Sequence, residues 1–378
     1  MNKKRILIVE DSVAHRMLIS TVIDGHPMLE VVGTAENGLI ALKMIQELNP
    51  DLVTLDIQMP VMDGLETLRE MRVRCPDLPS VMISSLTGMG ADAALDALAL
   101  GARDCIEKPA MSGGWEASLK IFRNDIHAKI LALCGVGDLP RQLQRPAIRT
   151  PQTSSSHAKK KPTTSARSRS KTSAINILAI GISTGGPDAL TRLIPELPAD
   201  LPLPVVIAQH MPPGFTQKLA IRLDSLSAVN VKEAQAGDVL TPGTVYIAPG
   251  DYHMVLKSRG EQIVIALNQD PLENSCRPAV DKLFRSVSTI FGSECLAVIM
   301  TGMGRDGLLG AESLSAAGAL ILVQDEASSV VWGMPGFVAR AGLADEIVAL
   351  DKMANAILSR LTKSTSTRVD IEPLRKSS

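Results

Sequence analysis

The sequence predicts an α/β protein of two units, each a mostly parallel sheet between helices, joined by a flexible basic segment. Three observations lead there. Short runs rich in Val, Ile and Leu alternate with helical runs through most of the 378 residues, the pattern of βα repeats around a parallel sheet. The alternation breaks over 141–174, where nine Lys or Arg and no acid are interspersed with Ser, Thr and Pro, a composition that cannot bury a core. Aromatic residues are scarce, and 1–114 contains none, so the first core must be aliphatic. The expected units are 1–130, a disordered basic linker 131–174, a second unit 175–355 and a flexible tail 356–378.

In the first unit, strands are expected at 5–9, 30–34, 52–55, 80–84 and 104–106, with helices near 15–24, 38–48, 64–74, 91–100 and 114–132. Five βα steps make a doubly wound sheet, whose chemistry belongs at the C-terminal strand ends. That rule selects Glu10 and Asp11 after the first strand, Asp56 after the third, Ser84 closing the fourth and Lys108 after the fifth. Three gathered carboxylates repel and call for a cation, and oxygen-only ligands suit Mg²⁺. Asp56 is then a phosphoryl acceptor, with Lys108 balancing charge and Ser84 bonding a phosphoryl oxygen.

The passages ILIVEDS (6–12), VTLDIQMPVMDG (53–64), SVMISSLT (80–87) and DCIEKP (104–109) resemble those of response-regulator receiver domains. The resemblance implies phosphorylation of Asp56 by a partner histidine kinase, Mg²⁺ on Glu10, Asp11 and Asp56, and a Ser84/Lys108 relay. Receivers often carry an aromatic switch residue three before the lysine; here Cys105 stands there.

The second unit opens with a strand at 175–180 and the turn GISTGGP (181–187), with Pro187 early in a helix. Small residues around Ser183 allow a sharp turn with amides near its oxygen, the logic of a nucleophile elbow. A phosphate-binding loop is the other reading, although the turn lacks the P-loop lysine and does not match GxGxxG. A nucleophilic serine needs a base and a group to orient it. His210 ends the next strand and His253 competes with it; Asp306 follows the strand at 295–300, with Asp270 and Asp281 as alternatives. A helix at 278–290, a strand at 319–324, an antiparallel edge within 244–266 and a final helix from about 346 complete the unit.

GISTGGPDAL (181–190), AQHMPPGFT (208–216), TGMGRDG (301–307) and DEASSVVWGMP (325–335) resemble the catalytic domain of the chemotaxis protein-glutamate methylesterases. The resemblance implies Ser183 as nucleophile, His210 as base and Asp306 as orienting acid, with no cofactor for ester hydrolysis. It also implies demethylation of glutamate methyl esters on the cytoplasmic helices of chemoreceptors, releasing methanol, and deamidation of specific receptor glutamines. One departure is Cys276 in NSCRPAVD (274–281), where the family commonly has histidine. The alternative is a phosphorylation-controlled binding protein with a catalytically weak hydrolase-like domain.

Bulk properties narrow the classes further. The net charge is −1, and −10 once the nine linker cations are set aside, so nucleic acid is not an expected partner. Five scattered cysteines form neither a metal motif nor a disulfide framework. The first apolar run, 6–9, is too short for a signal peptide, and no run approaches a membrane span. A cytoplasmic protein with no membrane insertion is expected.

Overall fold

The computed structural model describes residues 2–84, 88–109, 115–136 and 174–365. Most of the segment expected to link the units, and the end of the expected tail, lie outside the described residues.

The first unit alternates β1 (Lys4–Val9), α1 (Val13–Asp24), β2 (Leu29–Ala35), α2 (Gly38–Leu48), β3 (Leu52–Asp56), α3 (Gly64–Arg74), β4 (Ser80–Ser84), α4 (Gly88–Ala99), β5 (Asp104–Glu107) and α5 (Trp115–Leu133). All neighbours in the sheet are parallel, in the order β2-β1-β3-β4-β5. Successive side chains of a strand point to opposite faces. Accordingly Leu7, Val9, Val53 and Leu55 enter one apolar cluster, while Ile6, Ile8, Leu52, Val81 and Ile83 enter another. Each such side chain, buried, contributes about 1.5–3 kcal/mol, which is how a core without aromatic residues on its strands suffices.

Local signals fix the helix starts. Ser12 and Asn37 accept the amides of His15 and Ile40, and Asp63 and Glu66 form a reciprocal capping box at α3. Such caps contribute about 0.5–2 kcal/mol each. Gly64 follows because a Cβ there would lie 2.1 Å from the Asp56 carbonyl oxygen. The start of α3 can therefore pack against the end of β3 only without a side chain.

The second unit has β6 (Ile177–Ile182), α6 (Gly186–Leu193), β7 (Val205–Gln209), α7 (Phe215–Leu226), β8 (Asn230–Glu233), β9 (Thr244–Ile247), β10 (His253–Arg259) and β11 (Gln262–Asn268). It continues with α8 (Val280–Phe291), β12 (Cys295–Ile299), α9 (Leu308–Ala316), β13 (Leu320–Gln324), α10 (Met334–Arg340), β14 (Glu346–Val348) and α11 (Leu350–Thr365). Seven parallel strands run β14-β13-β12-β6-β7-β9-β8. Strand order reverses between β6 and β12, the switch point where such folds bind ligands.

Three expectations need correction. The antiparallel strands within 244–266 do not edge the main sheet: β10 and β11 form a separate ribbon, while β9 lies inside the parallel sheet. The stretch at 346 starts as the edge strand β14, and the helix begins at Leu350. That helix packs Ile357 and Leu361 into the core and runs to Thr365, into the stretch expected as a tail.

The two units touch through α4 and α7. Lys218 Nζ lies 2.8 Å from Asp92 Oδ2 and Arg222 Nη1 2.8 Å from Asp96 Oδ1. A cavity of about 20 Å³, room for roughly one water, is lined by Leu98, Cys105 and Lys129 on one side and His210, Met211 and Phe215 on the other.

Candidate functional site

At the carboxyl edge of the first sheet, the strand register brings the selected residues together. Asp56 ends β3 beside Ile83, and Ser84 pairs with Glu107, the residue before Lys108. Lys108 Nζ lies 2.8 Å from Asp56 Oδ2 and 2.9 Å from Glu10 Oε2. Glu10, Asp56 and Ser84 are buried and Asp11 is exposed. All of them line an open cavity of about 310 Å³. Burial and then the Asp56 charge push the Glu10 carboxyl up, opposed by Lys108. Burial opposes charge on Lys108, but its bonds to Asp56 and Glu10 outweigh this and raise its pKa. One ammonium thus balances only part of the carboxylate charge.

In the second unit, Ser183 leaves β6, His210 leaves β7 and Asp306 follows β12, all around the switch point. Ser183 N–H donates to the Thr301 carbonyl at 3.0 Å, and Gly186 N–H to the Ser183 carbonyl at 2.8 Å. Gln209 Nε2 also donates to the Ser183 carbonyl, at 3.0 Å. Gly302 packs so tightly here that a Cβ would sit 2.7 Å from Ser183 Cβ. The serine is held by its backbone from three sides.

His210 Nε2 donates to Asp306 Oδ2 at 2.8 Å. Asp306 is buried and also accepts the Val280 amide at Oδ2 (2.7 Å); Oδ1 accepts the Asp281 amide (3.0 Å), the Gly307 amide (3.0 Å) and Asn274 Nδ2 (2.9 Å). Burial alone would raise its pKa, yet the bond to His210, the His210 charge and the amides bring it down to about 2. Burial likewise disfavours charge on His210, but Cys276 and the bond to Asp306 outweigh it and raise its pKa. The surroundings favour the imidazolium that a general base becomes after taking a proton.

No hydrogen bond joins Ser183 Oγ to His210 among the described residues. Instead His210 Nδ1 faces Cys276 Sγ at 3.5 Å. Hydrogen bonds of a catalytic centre are often loose before substrate binds. His253, the competing base, is buried with Nε2 on the Pro271 carbonyl and Nδ1 accepting the Ala279 amide. Both nitrogens are engaged by backbone, so its role is structural. Of the alternative acids, Asp270 pairs with Lys282 at the surface, while Asp281 joins the network behind Asp306.

Residues 178–357 match the CheB methylesterase family model, and residues 6–117 that of the response regulator receiver domain. A protein-glutamate methylesterase/protein-glutamine glutaminase of Trichodesmium erythraeum is 46% identical over 362 residues, spanning 96% of this chain and all of that one. The chain belongs to the protein-glutamate methylesterase/protein-glutamine glutaminase family. A member from Nocardioides is 43% identical over 365 residues, 97% of each chain. The solved CheB methylesterase catalytic domain of Thermotoga maritima is 43% identical, covers 49% of this chain and 98% of its own, and superposes with a TM-score of 0.48.

The family's receiver half implies a divalent cation. Glu10, Asp11 and Asp56 each offer a carboxylate oxygen, all within 4.8 Å of one another. An oxygen-only donor set with surplus negative charge fits Mg²⁺. No helix among the described residues is long and apolar enough to cross a membrane.

Sequence reasoning missed Asn274 and Gln209 and gave Cys276 no part. Asn274 and Ser275 both have left-handed backbone, φ 53° and 64°, a conformation that costs a non-glycine residue about 1–2 kcal/mol. That turn brings the Asn274 amide to Asp306 and Cys276 to His210. The one available signal was NSCRPAVD itself, a polar run ahead of a buried helix.

Proposed function

We propose that the chain is a phosphorylation-activated serine hydrolase that demethylates glutamate methyl esters on chemoreceptor helices, releasing methanol, and deamidates specific receptor glutamines. The observation that carries the reading is the buried Asp306–His210 pair at the switch point where Ser183 leaves β6. Ser183 Oγ attacks the γ-carbonyl carbon of the esterified glutamate while His210 takes its proton at Nδ1, because Nε2 is committed to Asp306. The Ser183 and Gly186 amides are already bonded, so the developing oxyanion is met by donors other than these two. Imidazolium Nδ1–H protonates the departing methoxide, which leaves as methanol, or the departing amide nitrogen of a glutamine, which leaves as ammonia. Water, deprotonated at the same nitrogen, then hydrolyses the glutamyl ester and frees Ser183.

The receiver half is the regulator. Asp56 accepts a phosphoryl group from a chemotaxis histidine kinase, with Lys108 and Ser84 meeting its oxygens. Mg²⁺ held by Glu10, Asp11 and Asp56 supplies charge neutralisation for that transfer. In the unphosphorylated chain the receiver covers the hydrolase centre. The packing of α4 on α7 and the presence of His210 and Met211 in the interdomain cavity support that reading.

The test is Ser183→Ala, assayed by methanol release from methylated receptor. Loss of a triad nucleophile costs about 10⁴-fold or more. Release close to that of the parent would overturn the assignment.

A further inference from the structure

Cys276 stands against the one nitrogen of His210 that Asp306 does not hold. Its sulfur lies 3.5 Å from Nδ1. In a tetrahedral zinc site, Zn–S of about 2.3 Å and Zn–N of about 2.0–2.1 Å place sulfur and nitrogen about 3.5 Å apart. The spacing in the protein is that of a thiol–imidazole hydrogen bond and equally that of two ligands of one ion. The remaining surroundings match a zinc-binding histidine as well. Such a histidine donates its other N–H to a carboxylate, which fixes the ring and the tautomer, and His210 Nε2 does so to Asp306 at 2.8 Å. Asp306 cannot swing away to become a ligand itself, because five N–H donors hold its two oxygens.

Cys276 is equally fixed. The backbones of Glu273 and Cys276 exchange hydrogen bonds in both directions, at 3.2 and 2.9 Å. Glu273 is clamped by Arg285 through two bonds of 2.7 and 2.6 Å. Both side chains reach the surface, the His210 ring with 12% of its area exposed, so an ion can approach them from solvent.

We propose that Cys276 Sγ and His210 Nδ1 form a zinc site in the hydrolase centre, and that Zn²⁺ bound there switches the esterase off. As the ion binds, the Cys276 thiol and the Nδ1–H of the charged His210 release their protons to solvent, and the sulfur and Nδ1 replace waters of the ion; no electron is transferred. Waters fill its other positions. Thiolate and imidazole select zinc over magnesium, which prefers oxygen, so this site and the carboxylates of the receiver half sort the two cations. The switch follows because Nδ1 is the atom that must take the Ser183 proton; this consequence rests on His210 being the base, whereas the site does not.

The experiment uses the full chain carrying Cys75→Ser and Cys134→Ser, with magnesium in millimolar excess to occupy the receiver carboxylates. Zinc binding is followed by calorimetry, and cobalt(II) is added separately to read the thiolate charge-transfer band. One zinc ion per chain, a cobalt–thiolate band and affinity reduced about tenfold or more by Cys276→Ser are expected, with circular dichroism verifying the fold. Undiminished zinc affinity in Cys276→Ser, or no thiolate band in the parent, would overturn the site. Methanol release, each protein scaled to its own zinc-free rate, separates the two claims. Inhibition in the parent that Cys276→Ser escapes supports the switch. Zinc bound through Cys276 that leaves release intact overturns His210 as the base while the site stands.

Discussion

Asp306→Asn removes a charge at nearly constant shape where the hydrolase centre concentrates its hydrogen bonds. Oδ2 accepts from His210 Nε2 and the Val280 amide; Oδ1 accepts from Asn274 Nδ2 and the amides of Asp281 and Gly307. An asparagine has one accepting side, so its NH₂ group meets donors whichever way it turns. If it faces His210, Nε2 must accept, the ring proton moves to Nδ1, and no lone pair is left for the Ser183 proton. The same change in a serine-protease triad lowers kcat about 10⁴-fold, or about 5 kcal/mol of transition-state stabilisation. Stability falls too. Asp306 is held at about 2 against about 3.9 in an unfolded chain, which stabilises the fold by about 2.6 kcal/mol at neutral pH. A depressed carboxyl gives that stability above its unfolded value and loses it as pH falls through the folded one. The gap between parent and variant should therefore close toward pH 2. Methanol release with phosphodonor present and urea unfolding at several pH values measure both effects. A variant within tenfold of parental activity would refute the orienting role of Asp306.

Two further perturbations address the surroundings. Asp92→Lys with Asp96→Lys turns the contacts with Lys218 and Arg222 repulsive; exposed pairs contribute up to about 1 kcal/mol each, so unphosphorylated methanol release should rise about fivefold, and an unchanged basal rate would remove these pairs from the inhibitory contact. Gly302→Ala puts a methyl 2.7 Å from Ser183 Cβ and 2.5 Å from Met334 Sδ; displacing the serine by a fraction of an ångström to 1 Å should lower kcat about 10²-fold, and steady-state kinetics with unchanged kcat would show that the turn yields elsewhere.

What the sequence disclosed follows from the range of the interactions concerned. The parallel strands were legible because both faces are buried, so Ile6–Val9 reads as a continuous apolar run and Leu52–Leu55 as one broken only by Thr54. The residues at their ends were legible because strand order alone puts Asp56, Ser84 and Lys108 on one edge. Short edge strands were harder: β14 has two exposed residues of three and reads as a helix start. The ribbon of β10 and β11 looked like a sheet edge because a local pattern shows that strands pair with each other and not where the pair docks. In the hydrolase centre, Ser183, His210 and Asp306 each follow a strand and were found by that rule. Asn274 and Cys276 lie in a loop whose left-handed turn leaves no periodic trace. They meet His210 and Asp306 only through contacts spanning 66 and 32 residues.

Methanol release from methylated chemoreceptor by the intact chain, with and without a small phosphodonor, in the parent and in Asp56→Asn, tests phosphorylation-controlled ester hydrolysis most directly. The expected result is release in both proteins, raised several-fold by the phosphodonor in the parent and unchanged by it in Asp56→Asn. Absence of release from the parent under either condition, or equal stimulation of Asp56→Asn, would contradict it.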